Sequence, residues 1–197
     1  GSRAFAVGND NLASGSSSTA MGRGTIASGN DSTALGANTE ASGIASTALG
    51  ERTTASGDFS TAMGRDAVAS NQDSTAMGKG TIASGVASTA MGFGTIASGD
   101  FSTAIGDYTL SSGDFSTALG KGTIASGGYS TAMGYFTTAE DYMTLALGTL
   151  NKTDETPNPD NFSYQNTAFV IGNGGFNSDG AYDGHLSNCL LYTSPSP

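Results

Sequence analysis

The chain has 197 residues, of which 12% are charged and 30 are glycine; it contains no tryptophan, and its formal net charge is −10. Charged residues are about half as frequent as in an ordinary globular domain, so the composition argues against a conventional core. The negative charge disfavours nucleic acid and anionic lipid as partners, and no apolar run approaches the ~18 residues of a membrane-spanning helix.

A 14-residue repeat dominates the chain. Glycine recurs at this interval from Gly8 to Gly148, and a second glycine lies midway in most repeats, replaced only by Asn71 and Asp141. Asn and Asp are the residues that best tolerate the left-handed backbone for which glycine is favoured at corners. The pattern predicts that each repeat consists of two short segments, each closed by a corner containing glycine.

The two segments of each repeat have the composition of strands. STAMG and TIASG are short, rich in Thr and Ser, and alternate with a two-residue period. A fixed period of this length is typical of a solenoid, in which each repeat packs on its neighbours. We therefore predict an all-β fold, a parallel β-roll with two strands per coil. Ten complete coils over residues 9–148, at ~4.8 Å each, would form a rod on the order of 50 Å long.

Alternation assigns the faces of the strands. Ser18, Ala20 and Gly22 share one face of the first strand, and Thr25, Ala27 and Gly29 share one face of the second. These small residues are predicted to fill the interior. The larger residue of STAMG then forms a column on the outside: Met21, Leu35, Leu49, Met63, Met77, Met91, Ile105, Leu119, Met133 and Leu147.

This outer column predicts a homo-oligomer. A line of large apolar residues on an exterior face would be a solubility defect in a monomer, whereas each Met or Leu contributes about 1.5–3 kcal/mol when it is buried. An interior of alanine methyl groups buries little by comparison. We expect the column to lie on the axis of the oligomer.

The STAMG and STALG motifs, the partner strand that ends in glycine and the 14-residue spacing resemble the head repeats of trimeric autotransporter adhesins, the YadA-like (Hep/Hag) head. The resemblance covers residues 1–148. It implies a left-handed parallel β-roll, assembled as a homotrimer with the larger residues of the motif on the threefold axis. It also implies surface adhesion without catalysis.

Two exterior features are candidates for an adhesive surface. The second strand presents a column that includes Ile26, Ile82, Ile96 and Ile124, for which packing between neighbouring rolls is the alternative. Phe101, Phe115 and Tyr129 lie 14 residues apart at one corner, with Phe59 in the same column. A ladder of stacked rings explains this spacing, and contact with a carbohydrate or protein is the other interpretation.

Other functions are less well supported by the sequence. Calcium-binding rolls need a nonapeptide period, so the corner residues Asp31, Asp58, Asp73, Asp100, Asp107 and Asp114 do not predict a metal site. The Thr19 column forms a regular ladder, as in an ice-binding face, but its neighbours are Met and Leu. No arrangement of nucleophile and base, phosphate loop or metal-ligand spacing is found. We predict a protein that is not an enzyme and has no cofactor.

The repeat ends after Gly148. Residues 149–165 contain two prolines and many Asn and Asp residues, which predicts an exposed loop. NTAFVIG, residues 166–172, again has the pattern of a strand that ends in glycine. It is predicted to form the edge of one more coil, with the loop inserted before it. Residues 173–188 are predicted to be poorly ordered, with His185 solvated. Residues 189–197, CLLYTSPSP, match the translation of a transposon-type sequencing adapter, which would make Cys189 non-native.

The pattern therefore leads to two hypotheses of different class. The first is a surface-displayed or secreted adhesin head that attaches to host, matrix or a neighbouring cell, or to a surface glycan, by repeating weak contacts along three faces. The second is a structural spacer in a secreted or phage tail fibre. Because Gly1 falls within a repeat and is not Met, we expect the chain to be a fragment of a longer protein. The resemblance to trimeric autotransporter adhesins implies that the full-length protein is anchored in the outer membrane, with no membrane contact in this fragment.

Overall fold

The computed structural model describes residues 1–151, 153, 157–161 and 166–174, together with the backbone of residues 188–193. Within these ranges all regular structure is β-strand, and the strands form two sheets of 13 and 10 members. The chain winds through both sheets alternately, with one long and one short strand in each coil. The predicted β-solenoid with a 14-residue coil is confirmed.

The 13-stranded sheet contains the long strands. Those of the repeats have five residues each, and two strands follow them. They are β1 (Phe5–Asn9), β3 (Thr19–Arg23), β5 (Thr33–Ala37), β7 (Thr47–Glu51), β9 (Thr61–Arg65), β11 (Thr75–Lys79), β13 (Thr89–Phe93), β15 (Thr103–Asp107), β17 (Thr117–Lys121), β19 (Thr131–Tyr135), β21 (Leu145–Thr149), β22 (Thr167–Asn173) and β23 (Asn188–Thr193).

The 10-stranded sheet contains the short strands, which have two residues each. They are β2 (Leu12–Ala13), β4 (Ile26–Ala27), β6 (Glu40–Ala41), β8 (Thr54–Ala55), β10 (Val68–Ala69), β12 (Ile82–Ala83), β14 (Ile96–Ala97), β16 (Leu110–Ser111), β18 (Ile124–Ala125) and β20 (Thr138–Ala139).

Every coil pairs with the next in parallel and without a shift of register. Thr19 pairs with Thr33 and Met21 with Leu35, and the short strands pair in the same way, with Ile82 opposite Ile96. Equivalent side chains therefore form straight columns along the roll. We call the bend before each long strand the leading corner and the bend after it the trailing corner.

The interior consists of small side chains, as predicted. The alanines of both strands, such as Ala20 and Ala27, are completely buried. Ser18 and its equivalents are also buried, and the Ser18 hydroxyl donates to the carbonyl oxygen of Gly15 at 2.8 Å. Thr25 and its equivalents in later coils form another buried column, and fewer of their hydroxyl groups are hydrogen-bonded. Most of them, including those of Thr53 and Thr123, have no hydrogen-bond partner in the described structure.

The glycine that ends STAMG was assigned wrongly to the interior. Gly22 and its equivalents are exposed or half-exposed, because the strand kinks there, with a φ of 132° at Gly22. A Cβ on Gly22 would lie 1.9 Å from the carbonyl oxygen of Gly36 in the next coil. This position therefore requires glycine for both its backbone angle and its close approach to the next coil.

The explanation of the midway glycine as a left-handed corner residue was also wrong. Gly29 has no positive φ, but a Cβ there would lie 2.0 Å from the carbonyl oxygen of Gly43. The left-handed residue comes two positions later, at Asp31 with a φ of 57°. Its N–H donates to the carbonyl oxygen of Ser16 at 2.8 Å, and the equivalent left-handed residues of the later coils donate to the preceding coil in the same way.

The C-terminal end of the roll differs from the regular coils. β22 pairs in parallel with β21, with Ile171 opposite Leu147, which confirms one more coil edge after an inserted loop. Val170 takes the interior place that alanine holds elsewhere and is 1% exposed. The Asn151 side chain accepts from the Thr138 N–H at 2.7 Å and donates to its carbonyl oxygen at 2.9 Å, and so extends the short-strand sheet beyond β20.

β23 pairs antiparallel with β22. Residues 175–187, including His185, lie outside the described residues, so their predicted disorder is not tested. The assignment of residues 189–197 to a non-native segment also stays a prediction.

Candidate interaction surfaces

The outer face of the long-strand sheet presents the predicted axis column. Met21, Leu49 and Met133 are exposed, and the other seven members, Leu35, Met63, Met77, Met91, Ile105, Leu119 and Leu147, are half-buried against their own neighbours. The in-register pairing keeps the column straight over ten coils. An unbroken apolar stripe on the face of a sheet is suited to packing against another such stripe. Its place on a symmetry axis stays a prediction, because the structure contains one chain.

The neighbouring threonine column becomes apolar at both ends, which the sequence reasoning missed. Phe5 pairs with Thr19 at one end, while Thr131 pairs with Leu145, and Leu145 with Phe169, at the other. Phe5 is 54% exposed. Alignment of the repeats at the threonine position would have revealed that Phe5, Leu145 and Phe169 replace threonine there. The apolar face is therefore wider at its two ends than in its middle.

The short-strand sheet presents the second predicted column on the opposite face of the roll. Ile26, Ile82, Ile96 and Ile124 are exposed, each by slightly more than a third. Serine residues such as Ser28 and Ser98 lie two positions further along and are also exposed. The prediction that these isoleucines lie outside is confirmed, whereas their adhesive role stays a prediction.

The aromatic residues of the leading corner form the expected ladder. The rings of Phe101 and Phe115 have centroids 4.9 Å apart and planes within 8°, and Phe115 stacks on Tyr129 at 4.8 Å and 6°. About half of each ring is exposed. Tyr142 extends the group with an edge-on contact to Tyr129. Phe59 occupies the same column without a ring beside it.

The trailing corner carries a second aromatic group that the sequence reasoning missed. Phe93 meets Tyr108 edge to face at 5.0 Å, and Tyr135 meets Phe136 at 4.7 Å. Phe93 and Tyr135 belong to one column and Tyr108 and Phe136 to the next, so the two rings of each contacting pair are 15 residues or 1 residue apart rather than 14. Both aromatic groups therefore lie in the C-terminal half of the roll.

Several acidic corner residues have a structural role. One carboxylate oxygen of Asp58 accepts the Ile44 N–H at 2.8 Å, and Asp100 and Asp114 accept the N–H of Val86 and Asp100 in the same way. Each side chain thus satisfies a backbone donor of the preceding coil. Within the described ranges, His, Cys, Asp and Glu form no group of three or more that could hold a metal ion.

Charged side chains cluster at the trailing corner of the N-terminal half. Arg52 donates to both carboxylate oxygens of Asp66, at 2.7 and 2.9 Å, and to Glu51 at 2.6 Å. The hydrogen bond from Arg52 lowers the pKa of Asp66, and the same bond raises the pKa of Arg52. All three side chains are well exposed to solvent, so this network is open to screening by salt.

A comparison with protein-family models finds the YadA head domain repeat along most of the chain. The matched segments are residues 1–25, 13–39, 41–67, 55–81, 69–95, 83–109, 97–123, 111–137 and 125–151. No curated protein gives a significant match. Among the described residues no helix is long and apolar enough to cross a membrane. The matched family and the solenoid fold are structural rather than enzymatic.

Proposed function

Because this chain belongs to the YadA head repeat family, we propose that it is part of a trimeric adhesin head that attaches to host tissue, extracellular matrix or a neighbouring cell. The family is extracellular and surface-exposed. This chain would accordingly be displayed on the cell surface or secreted, with any outer-membrane anchor in another part of the full-length protein.

The apolar stripe on the long-strand sheet carries this proposal. Ten Met, Leu and Ile side chains lie in one straight column, and none of them is fully buried within the chain. Two further copies of the same stripe would cover it around a threefold axis. Cyclic assembly gives identical interfaces and closes on itself, and so removes the exposed stripe from solvent.

Once the long-strand faces meet on the axis, the opposite faces and the corners point outward. The exposed isoleucines Ile26, Ile82, Ile96 and Ile124 and the ladder of Phe101, Phe115 and Tyr129 are our candidates for the adhesive surface. Each contact would be weak, but its repetition along the roll and in three subunits multiplies the affinity. No cofactor is needed for this mechanism.

The trimer is tested by light scattering on the chain and two variants. We expect three times the mass of one chain for the wild type, and a loss of the trimer for Met77→Asp because a charge would be buried on the axis. Ile82→Asp is the matched control, because it lies on the opposite face of the same region, and it should remain trimeric. A folded wild-type monomer would contradict the axis assignment.

Attachment is tested with beads that carry the trimer and are washed over immobilised matrix proteins and cultured cells. We expect Ile96→Ser and Phe115→Ser to reduce attachment while the trimer persists. The alternative function is a structural spacer in a secreted or phage fibre, which the rod-like repeat also supports. Wild-type beads that attach to nothing would favour the spacer.

An ice-binding solenoid is a weaker alternative. If the wild type proved to be a monomer, inhibition of ice growth would be the next property to measure.

A further inference from the structure

A cleft of about 380 Å³ lies at the C-terminal end of the aromatic ladder. It falls at the lower end of the size range of small-molecule sites. Its lining includes the aromatic residues Phe115, Tyr129 and Tyr142 and, from the inserted loop, Pro159 and Asp160. We propose that this cleft binds a neutral carbohydrate.

The cleft exists because the residue type at one position of the leading corner changes to glycine at Gly128. In the two preceding coils this position is Asp100 and Asp114, and in the following one it is Tyr142. The N–H of Gly128 donates to the carbonyl oxygen of Pro159 at 2.8 Å, which holds the inserted loop against the corner. A Cβ on Gly128 would lie 3.2 Å from the Tyr142 ring, so glycine leaves room for both the ring and the loop.

Further hydrogen bonds join the described part of the loop to Asp141 and Tyr142 in the following coil. The Tyr142 N–H donates to the carbonyl oxygen of Asn158 at 3.0 Å. The buried carboxylate of Asp141 accepts the N–H of Asn158 at 2.7 Å and that of Thr167 at 2.9 Å. The part of the loop that the structure describes next to the cleft, residues 157–161, is therefore tied to the roll by two backbone hydrogen bonds and by the Asp141 carboxylate, which makes the cleft a preformed feature.

The chemistry of the lining selects the class of ligand. Hydroxyl groups of Ser112 and Ser126 and the carboxylates of Asp114 and Asp160 surround the aromatic rings. One oxygen of Asp114 accepts the Asp100 N–H, which leaves its other oxygen free among the described residues. Carboxylates accept short, strong bonds from hydroxyl donors, and apolar ring surface suits the C–H groups of a sugar.

The charge of the lining excludes other ligands. No Lys, Arg or His is among the described residues that line the cleft, so two carboxylates would repel an anionic glycan. A cationic ligand would depend on ion pairs with these two carboxylates, and both are exposed, where such pairs contribute little. A neutral polyol can instead use every donor and acceptor of the lining.

This inference deepens the proposed function, because it rests on the same ladder and names a ligand class for one end of it. The test is titration calorimetry of the full chain with neutral oligosaccharides of hexose and N-acetylhexosamine, chosen by first screening an immobilised panel. We expect Asp114→Asn to weaken binding by about tenfold, since a bond to a charged acceptor is lost. Asp100→Asn is the matched control, because it keeps the equivalent bond to the preceding coil but lies outside the cleft, and it should bind as the wild type does.

Three outcomes would overturn the inference. They are the absence of binding to any neutral oligosaccharide, an equal loss in Asp114→Asn and Asp100→Asn, and preferential binding of a lysine-rich peptide with an affinity that falls as salt is raised. Circular dichroism of both variants confirms that the roll is intact. Bead attachment that persists in Asp114→Asn, together with any of these three outcomes, would leave the adhesive proposal standing without the carbohydrate site.

Discussion

The N-terminal and C-terminal halves of the roll share one interior but have different corners. Over residues 1–78 the exposed corners carry charged side chains such as Arg52 and Asp66, and only Phe5 and Phe59 are aromatic. Residues 79–148 have seven charged residues against eleven in residues 1–78, and they carry eight aromatic residues: Phe93, Phe101, Tyr108, Phe115, Tyr129, Tyr135, Phe136 and Tyr142. The interior alanines are completely buried in both halves. The fold therefore depends on the interior, while the corners are free to differ and can carry function.

The largest effect should come from the close contacts that both halves share. Gly78→Ala should destabilise the roll by roughly 3 kcal/mol or more, because φ is 126° and the new Cβ would lie 2.0 Å from the carbonyl oxygen of Gly92. Gly80→Ala is the control, with φ at 63° and nothing within 4 Å, and should cost about 1 kcal/mol. Chemical denaturation followed by circular dichroism measures both, and equal losses would contradict the role of close approach.

The next effect separates the two halves at the leading corner. Phe115→Ala removes a ring that stacks on two others, whereas Phe59→Ala removes a ring without an aromatic neighbour. Because each aromatic pair contributes about 0.5–1.5 kcal/mol beyond burial, we expect Phe115→Ala to be the more destabilising by about 1–2 kcal/mol. Both residues are left-handed, with φ of 57° and 59°, so the backbone cost cancels. Equal denaturation midpoints would show that the stacking contributes nothing.

A smaller effect should be the same in both halves. Thr53→Val and Thr123→Val each replace a buried hydroxyl group that has no hydrogen-bond partner in the described structure, and each should stabilise the roll by about 1 kcal/mol. Thr25→Val is the control, since the Thr25 hydroxyl donates to Asn11 at 2.8 Å, and it should destabilise. Thermal denaturation shows whether each substitution raises or lowers the midpoint. A rise at one of residues 53 and 123 and a fall at the other would mean that the interiors of the two halves are not equivalent.

The smallest effect concerns the charged corner alone. Because the pKa of Asp66 is lowered in the folded state, the pair with Arg52 stabilises the fold above the ordinary carboxyl pKa and loses this contribution as the pH falls through the lowered value. Arg52→Met should lower the thermal midpoint slightly at neutral pH, and the difference should vanish in acid or in high salt. Lys121→Met, next to Asp107 in the C-terminal half, is the comparison. A difference that persists in high salt would show that packing rather than charge is involved.

Much of the architecture could be predicted because side-chain alternation is a local property. Ala20 and Met21 must point to opposite faces of a strand, and a strict 14-residue interval brings like residues into register. The same reasoning located the stacked ring ladder and the coil edge at β22. It failed at Gly22 and Gly29, where the period shows that glycine is needed but not whether the reason is a backbone angle or a neighbouring carbonyl oxygen.

The sequence by itself therefore determined the period, the two strands of each coil, the alanine interior and the apolar stripe, because these follow from spacing and alternation. Only the tertiary structure decided where the backbone turns left-handed, that Asp58, Asp100 and Asp114 satisfy donors of the preceding coil, and that the inserted loop closes a cleft at Gly128. These features depend on distances between residues in different coils and in the loop, and no local pattern encodes such distances.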